Sequence, residues 1–235
     1  MDSPGGKSYL KWWFSSPDVK IDSLLSCCIM LKIFHYLHKF IMYVYYSHRL
    51  GSYGIHSFID RPLIIDGPKS IFIGNKVYVG YKTWLASVPL TGSKESNLVV
   101  EDGCIIGHFN HIYATKKVVL HKNVLTADKV YISDNLHGYE DTSIPILRQP
   151  IVQKREVEIG EGSWLGENVC VLGANIGKNC VIGANSVVTK DIPDFCVAVG
   201  SPAKVIKRYD LRRKRWVKTN LDGAFVIDNN SNYLS

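Results

Sequence analysis

The sequence lacks several features that would have pointed elsewhere. Its six cysteines, among 235 residues, include no Cys-x-x-Cys pair, and the adjacent Cys27 and Cys28 cannot easily bond to each other. That argues for a reduced chain in the cytoplasm. The first residues, MDSPGGKSYLKWWF, lack the charged-then-apolar order of a secretory signal. Residues 24–46 have the length of a membrane span, but Lys32, His35, His38 and Lys39 interrupt the apolar run. Lys32, His35 and Lys39 fall at i, i+3 and i+7, on one helical face, so the segment reads as an amphipathic helix. Two placements stay open for it. It packs over an open end of the domain or between subunits, or it lies on a membrane surface beside Trp12 and Trp13. Acidic residues are almost missing from 204–218, where Asp210 alone faces Lys204, Lys207, Arg208, Arg212, Arg213, Lys214, Arg215 and Lys218. Much of the net charge of +7 sits there. The run fits a solvated helix face or tail. It equally fits attraction to a cofactor's phosphates, a lipid headgroup or an acidic glycan. No nucleic-acid-binding motif is visible, so nucleic acid is not an expected partner.

The usual periods are missing too. In 157–188, VEIGEGSWLGENVCVLGANIGKNCVIGANSVV, an aliphatic residue followed by a small or acidic one returns about every six positions. Ile159-Gly160, Leu165-Gly166, Ile176-Gly177 and Ile182-Gly183 are the clearest instances. Six is neither the 3.6 of a helix nor the 2 of a half-buried strand. It is the period of a parallel β-helix, whose short strands point the aliphatic residue inward and turn a tight corner at the small one. The same phase holds earlier at Ile73, Val79 and Leu85, at Ile106 and Ile112, and at Leu120, Thr126 and Ile132. It slips to eight between Ile112 and Leu120 and to five between Val171 and Ile176. A β-sandwich would instead recur every 8–12 residues with alternation inside each strand. Two segments break the pattern. Residues 86–97 are rich in turn formers, and 134–156 carry Pro145 and Pro150. Both read as loops leaving a prism, and long excursions on a rigid scaffold tend to be functional. The expected organisation is an appendage over 1–60, a β-helix domain over 61–206 and a basic extension over 207–235. Periodicity does not give the hand, and parallel connections in general are right-handed.

IGANSVVTKDIP (182–193) followed by VGSPAKVIK (199–207) resembles the C-terminal signature of the hexapeptide acyltransferases, in the galactoside, maltose and nodulation-factor O-acetyltransferase branch. YISDNLHGYED (131–141) and PILRQPI (145–151) are similar to the bacterial enzymes that O-acetylate O-antigen and capsular sugars. The resemblance covers about 65–210 and implies a left-handed β-helix, all-β apart from its N-terminal helical segment. It implies a homotrimer with active sites between subunits, acetyl-CoA as donor, and no metal. The implied acceptor is a sugar hydroxyl of a surface polysaccharide or its lipid-linked glycan precursor. The expected location is the cytoplasm, and peripheral contact with the inner face of the bacterial membrane stays open with the placement of 24–46.

The family's general base matches His137. The chemistry agrees, since a hydroxyl is a poor nucleophile until a base of near-neutral pKa takes its proton. Asp134 is the expected orienting or sugar-binding partner. The resemblance places Trp164 at the acetyl end of the donor cleft and backbone amides near Ala184 and Thr189 along the pantetheine arm. It places Lys190, Lys204 and Lys207 near the CoA phosphates. Glu167 departs from the family, where some relatives carry a small polar residue. His108, His111 and His121 are candidate zinc ligands, but the three-residue step from His108 to His111 does not match the spacing of zinc-binding β-helices. No cysteine stands where a nucleophile would. Two rivals stay open: transfer to an amino group or another small acceptor, and a non-catalytic β-helix scaffold.

Overall fold

The computed structural model describes residues 37–220 and 223–226. The chain divides into the units Met1–Ile41 and Met42–Ser235, and the elements below belong to the second. Most of the expected amphipathic segment, including Lys32 and His35, lies outside the described residues; 37–49 is helical. Among the described residues no helix is long and apolar enough to cross a membrane.

The unit is a parallel β-helix with three faces of five, nine and six strands. Strands of two to four residues step from face to face, and each pairs with its counterpart one coil away. The sixes mark the inward positions. On the first face the register stacks Tyr53, Ile73, Val100, Leu120 and Ile159, and bridges extend the row to Ile176 and Ile192. On the second it stacks Ile59, Val79, Ile106, Thr126, Leu165, Ile182 and Ala198. On the third it stacks Ile65, Leu85, Ile112, Ile132, Val171 and Val188. Nearly all of these side chains are fully buried, which makes the prism one continuous apolar column. Thr126 is the polar member. Its hydroxyl accepts from Asn110 Nδ2 at 3.0 Å and the Gly107 amide at 3.2 Å, so burial leaves no lone oxygen.

Two boundaries differ from the sequence expectation. The coils begin at Ser52–Tyr53, not at 61, because Tyr53 takes the inward position on the first rung. The Tyr46 ring, on the helix, lies 5.6 Å from it. The basic run is neither helix nor tail. Lys204–Asp210 reverses direction and pairs antiparallel with Cys196–Val199, and Arg215–Lys218 adds a further antiparallel strand. The nine-stranded face therefore ends in a cationic hairpin.

Residues 134–156 leave the prism as an ordered arm. Asn135–His137 and Ile151–Gln153 pair antiparallel, with His137 opposite Ile151, and a 3-10 turn at Ile146–Arg148 lies near the tip. The arm exposes Leu147 to 90 %.

Candidate functional site

Asp134 builds the root of the arm. Its side chain is fully buried. Oδ1 accepts from the Thr115 amide at 2.8 Å and Asn135 Nδ2 at 3.0 Å, and Oδ2 accepts from the Lys116 and Lys117 amides at 2.7 and 2.9 Å. The Thr115 hydroxyl also lies 2.9 Å from Oδ1. Those donors come from the turn that produces the eight-residue step between Ile112 and Leu120. One carboxylate thus fastens the slip in the repeat to the start of the excursion. Its lone pairs are taken up there, so the orienting contact with His137 expected from the sequence is not made. Asp134 fixes the backbone at the start of the arm that carries His137 instead.

Gln153 closes the arm from the other strand. Its Nε2 donates to the Asp134 carbonyl at 2.8 Å. Its Oε1 accepts from the Thr91 hydroxyl at 2.6 Å and lies 3.1 Å from the Thr115 hydroxyl. Thr91 belongs to the other excursion, 86–97, so the two departures from the repeat meet at one side chain. The sequence reading missed Thr115 and Gln153. The signal was available, since a repeat that slips needs a buried polar group to satisfy the freed amides.

His137 stands two residues beyond this hub, with an exposed imidazole. Among the described residues no side-chain hydrogen bond, ion pair or ring contact engages it. Gly138 follows and is buried because the strands close tightly there: its amide donates to the Pro150 carbonyl at 2.9 Å, and an added Cβ would sit 2.7 Å from that oxygen. We expect Gly138→Ala to part the arm's strands and lower kcat/KM by roughly 10- to 100-fold, since small misplacements of a base are costly. A thermal melt within a few degrees of wild type, measured alongside, would assign the loss to positioning.

The expected donor residues run from the middle of the second face to its C-terminal end. Trp164, 45 % exposed, continues an outward row through Val181, Val197, Lys207 and Lys218. At about 4.8 Å per strand, Trp164 and Lys207 lie about 14 Å apart along this row. Ala184 is exposed at the corner beside this face, and a Cβ on Gly166 would meet its amide nitrogen at 2.7 Å. Lys204 pairs with Val199, whose side chain packs against Gly183. Thr189 and Lys190 are exposed just past Val187–Val188, and the Val187 carbonyl accepts from the Ala203 amide at 2.8 Å. Within the chain, then, Trp164, Ala184, Lys204 and Lys207 share one wall, Thr189 and Lys190 stand at its edge, and His137 is on a separate element. Glu167, the departure from the family, is tied to Lys129 at 3.0 Å, one coil below.

The other histidines are occupied separately. His108 Nδ1 lies 3.1 Å from Asp128. His111 stacks on Trp84 at 4.2 Å, and burial pulls its pKa down. His121 sits between Glu101 and Glu158, at 3.2 and 3.3 Å. The four cysteines among the described residues are unpaired, and burial pushes the Cys104 and Cys180 thiols up to about 11, far from nucleophilic.

Comparison with known proteins defines the class. The family of the hexapeptide repeat of succinyl-transferase matches residues 156–190. A Mycobacterium tuberculosis protein assigned as an acetyltransferase is 38 % identical over 59 % of this chain and 44 % of its own length. WbbJ of Escherichia coli, assigned as a lipopolysaccharide biosynthesis O-acetyl transferase, is 40 % identical over 50 % of this chain and 63 % of its own. A Saccharomyces cerevisiae protein assigned as an acetyltransferase is 34 % identical over 68 % of this chain and 66 % of its own. The chain thus spans between 44 % and 66 % of the length of these relatives. Among solved structures, the N-acyltransferase AntD of Bacillus cereus shares the fold with a TM-score of 0.59 at 17 % identity, over 70 % of this chain and 87 % of AntD. A hexapeptide-repeat acetyltransferase of Vibrio cholerae gives 0.51 at 19 %, over 73 % and 81 %. The chain belongs to the hexapeptide-repeat acyltransferase family, and its fold is the left-handed β-helix that the resemblance implied.

Proposed function

We propose that this chain is an acetyl-CoA-dependent O-acetyltransferase. Its acceptor is a sugar hydroxyl of a surface polysaccharide, capsule or O-antigen, or of the lipid-linked precursor. The observation that carries the reading is His137: an exposed imidazole without a hydrogen-bond, ion-pair or ring partner among the described residues, held at the root of a clamped arm. A base of that kind takes a proton from the acceptor. The sugar oxygen attacks the thioester carbonyl, the carbon–sulfur bond breaks, and the proton passes from His137 to the departing CoA sulfur. A backbone amide at the donor wall supplies the oxyanion contact. The identity with WbbJ supports a glycan acceptor.

The working form in this reading is a homotrimer in the cytoplasm. Three consecutive outward residues of the second face, Ile105, Leu125 and Trp164, are 49 %, 41 % and 45 % exposed, an apolar row that a second copy would cover. A neighbouring copy would also bring its donor wall to the His137 of the first.

Lys204 and Lys207 meet the CoA phosphates in this reading. We expect Lys204→Ala with Lys207→Ala to raise KM for acetyl-CoA about tenfold with kcat little changed, the effect shrinking as salt rises. The function itself is tested by thiol release from acetyl-CoA over a panel of glycan, amino-sugar and other amine acceptors. Transfer to hydroxyls supports the reading, and acceptance of amines alone overturns it in favour of N-acylation.

A further inference from the structure

The cationic hairpin carries more charge than the donor wall uses. Lys204 and Lys207 lie on its first strand, beside the prism. Beyond them the chain turns through Leu211, Arg212, Arg213 and Lys214 into Arg215 and Trp216. Asp210, the only acid, is spent on that turn. Its Oδ1 accepts the Arg212 and Arg213 amides at 2.9 and 3.1 Å, and the Arg213 guanidinium lies 3.4 Å from Oδ2. The turn is therefore fixed by the Asp210 carboxylate, which also holds the Arg213 guanidinium, and Leu211, Arg212 and Lys214 are left exposed at it.

Those side chains have an amphipathic arrangement. Leu211, at the tip, is 69 % exposed, and Trp216 is 43 % exposed with its ring edge against Tyr209 at 5.5 Å. A groove of about 520 Å3 beside Leu211 is lined by Arg208, Arg212 and Arg213, by Asp210, and by Leu211 and Phe225, with the Arg208 guanidinium over the Phe225 ring at 5.7 Å. A soluble phosphate would be held by the cations alone, and an acidic polysaccharide would add stacking on Trp216; neither gains from the exposed Leu211. A bilayer surface uses all of them: anionic headgroups meet the cations, Trp lies at headgroup level, and Leu enters the acyl boundary.

We propose that the 211–216 hairpin tip docks on an anionic lipid surface. This rests on the acyltransfer reading above and adds a location to it, because a lipid-linked acceptor would be met at that surface. Mechanistically the dock is separate from the donor wall, so the tip can be altered without touching the residues placed there.

The test is co-sedimentation of the full chain with vesicles of neutral phosphatidylcholine alone or with about a third of phosphatidylglycerol. The expected result is binding to the anionic vesicles only. Combining Arg212→Ala, Arg213→Ala and Lys214→Ala should weaken it about 100-fold, given the contribution of each cation near a charged membrane. Leu211→Ser alone should weaken it severalfold at unchanged charge. Equal binding to neutral vesicles, or unchanged binding by the triple variant, overturns the proposal. So does binding indifferent to Leu211→Ser and matched by a soluble acidic polysaccharide, which would make the tip a polyanion site. Acetyl transfer to a soluble acceptor, assayed in parallel, should be the same in all variants. Loss of vesicle binding with transfer intact supports docking, whereas absence of transfer in wild type strikes the enzymatic reading and leaves the vesicle result standing.

Discussion

Replacing His137 with Ala should lower kcat about 1000-fold, near the middle of the range for a positioned general base. The fall should come without loss of fold or donor affinity. The imidazole is exposed and makes no contact within its own chain among the described residues, so nothing in the core depends on it. The residues proposed to hold the donor stand on another element, so acetyl-CoA should bind the variant with the wild-type dissociation constant. Calorimetric titration with acetyl-CoA, the native mass and a thiol-release time course together check the three parts. Turnover near the wild-type rate would remove the mechanism proposed for this fold.

The second large effect is on stability, from a residue that looks catalytic in the sequence. Asp134→Ala removes the acceptor of the Thr115, Lys116 and Lys117 amides and of the Asn135 side chain, all at a buried site. A hydrogen bond to a charged group contributes about 1.5–3 kcal/mol, and each buried donor left without a partner adds its own desolvation cost. The contributions overlap, because the small turn can relax toward water. A net loss of about 4 kcal/mol is expected, which in a domain of this size lowers the melting midpoint by roughly 8–16 °C. Asp134→Asn keeps the shape but turns an acceptor into a donor that faces an amide, and should recover less than half of the loss. Differential scanning calorimetry separates these outcomes. A midpoint within 2 °C of wild type for Asp134→Ala, against the roughly 2–4 °C expected per kcal/mol, would show that the clamp is dispensable.

The two residues divide what the sequence could and could not reveal. The inward column was legible because a β-helix writes itself locally: each coil needs an aliphatic residue and a corner every six positions, and Ile106, Ile112, Leu120, Thr126 and Ile132 all sit inside as their phase required. The first rung was hidden because its inward residue is Tyr53, an aromatic that fits only where the helix residues Tyr43 and Tyr46 pack against it. The hairpin was hidden for another reason. Its strands are at the edge of a face, so exposed cations replace the aliphatic rhythm. His137 is nominated by its motif alone. The role of Asp134 was not legible, since its partners lie 17 to 19 residues earlier in the chain and are backbone amides that carry no residue signature.

The reversal of the chain at Lys204 bears on how these molecules behave in a crowd. A stack of parallel rungs ends in a row of unpaired amides and carbonyls, the same template that lets strands add without limit in fibres. Here the longest face does not end on a parallel rung. It turns antiparallel and finishes on Arg215–Lys218, a short strand with Arg215 and Lys218 exposed. A second molecule approaching that edge with its own hairpin brings Arg215 and Lys218 against the same cations, which works against edge-to-edge pairing of two such hairpins.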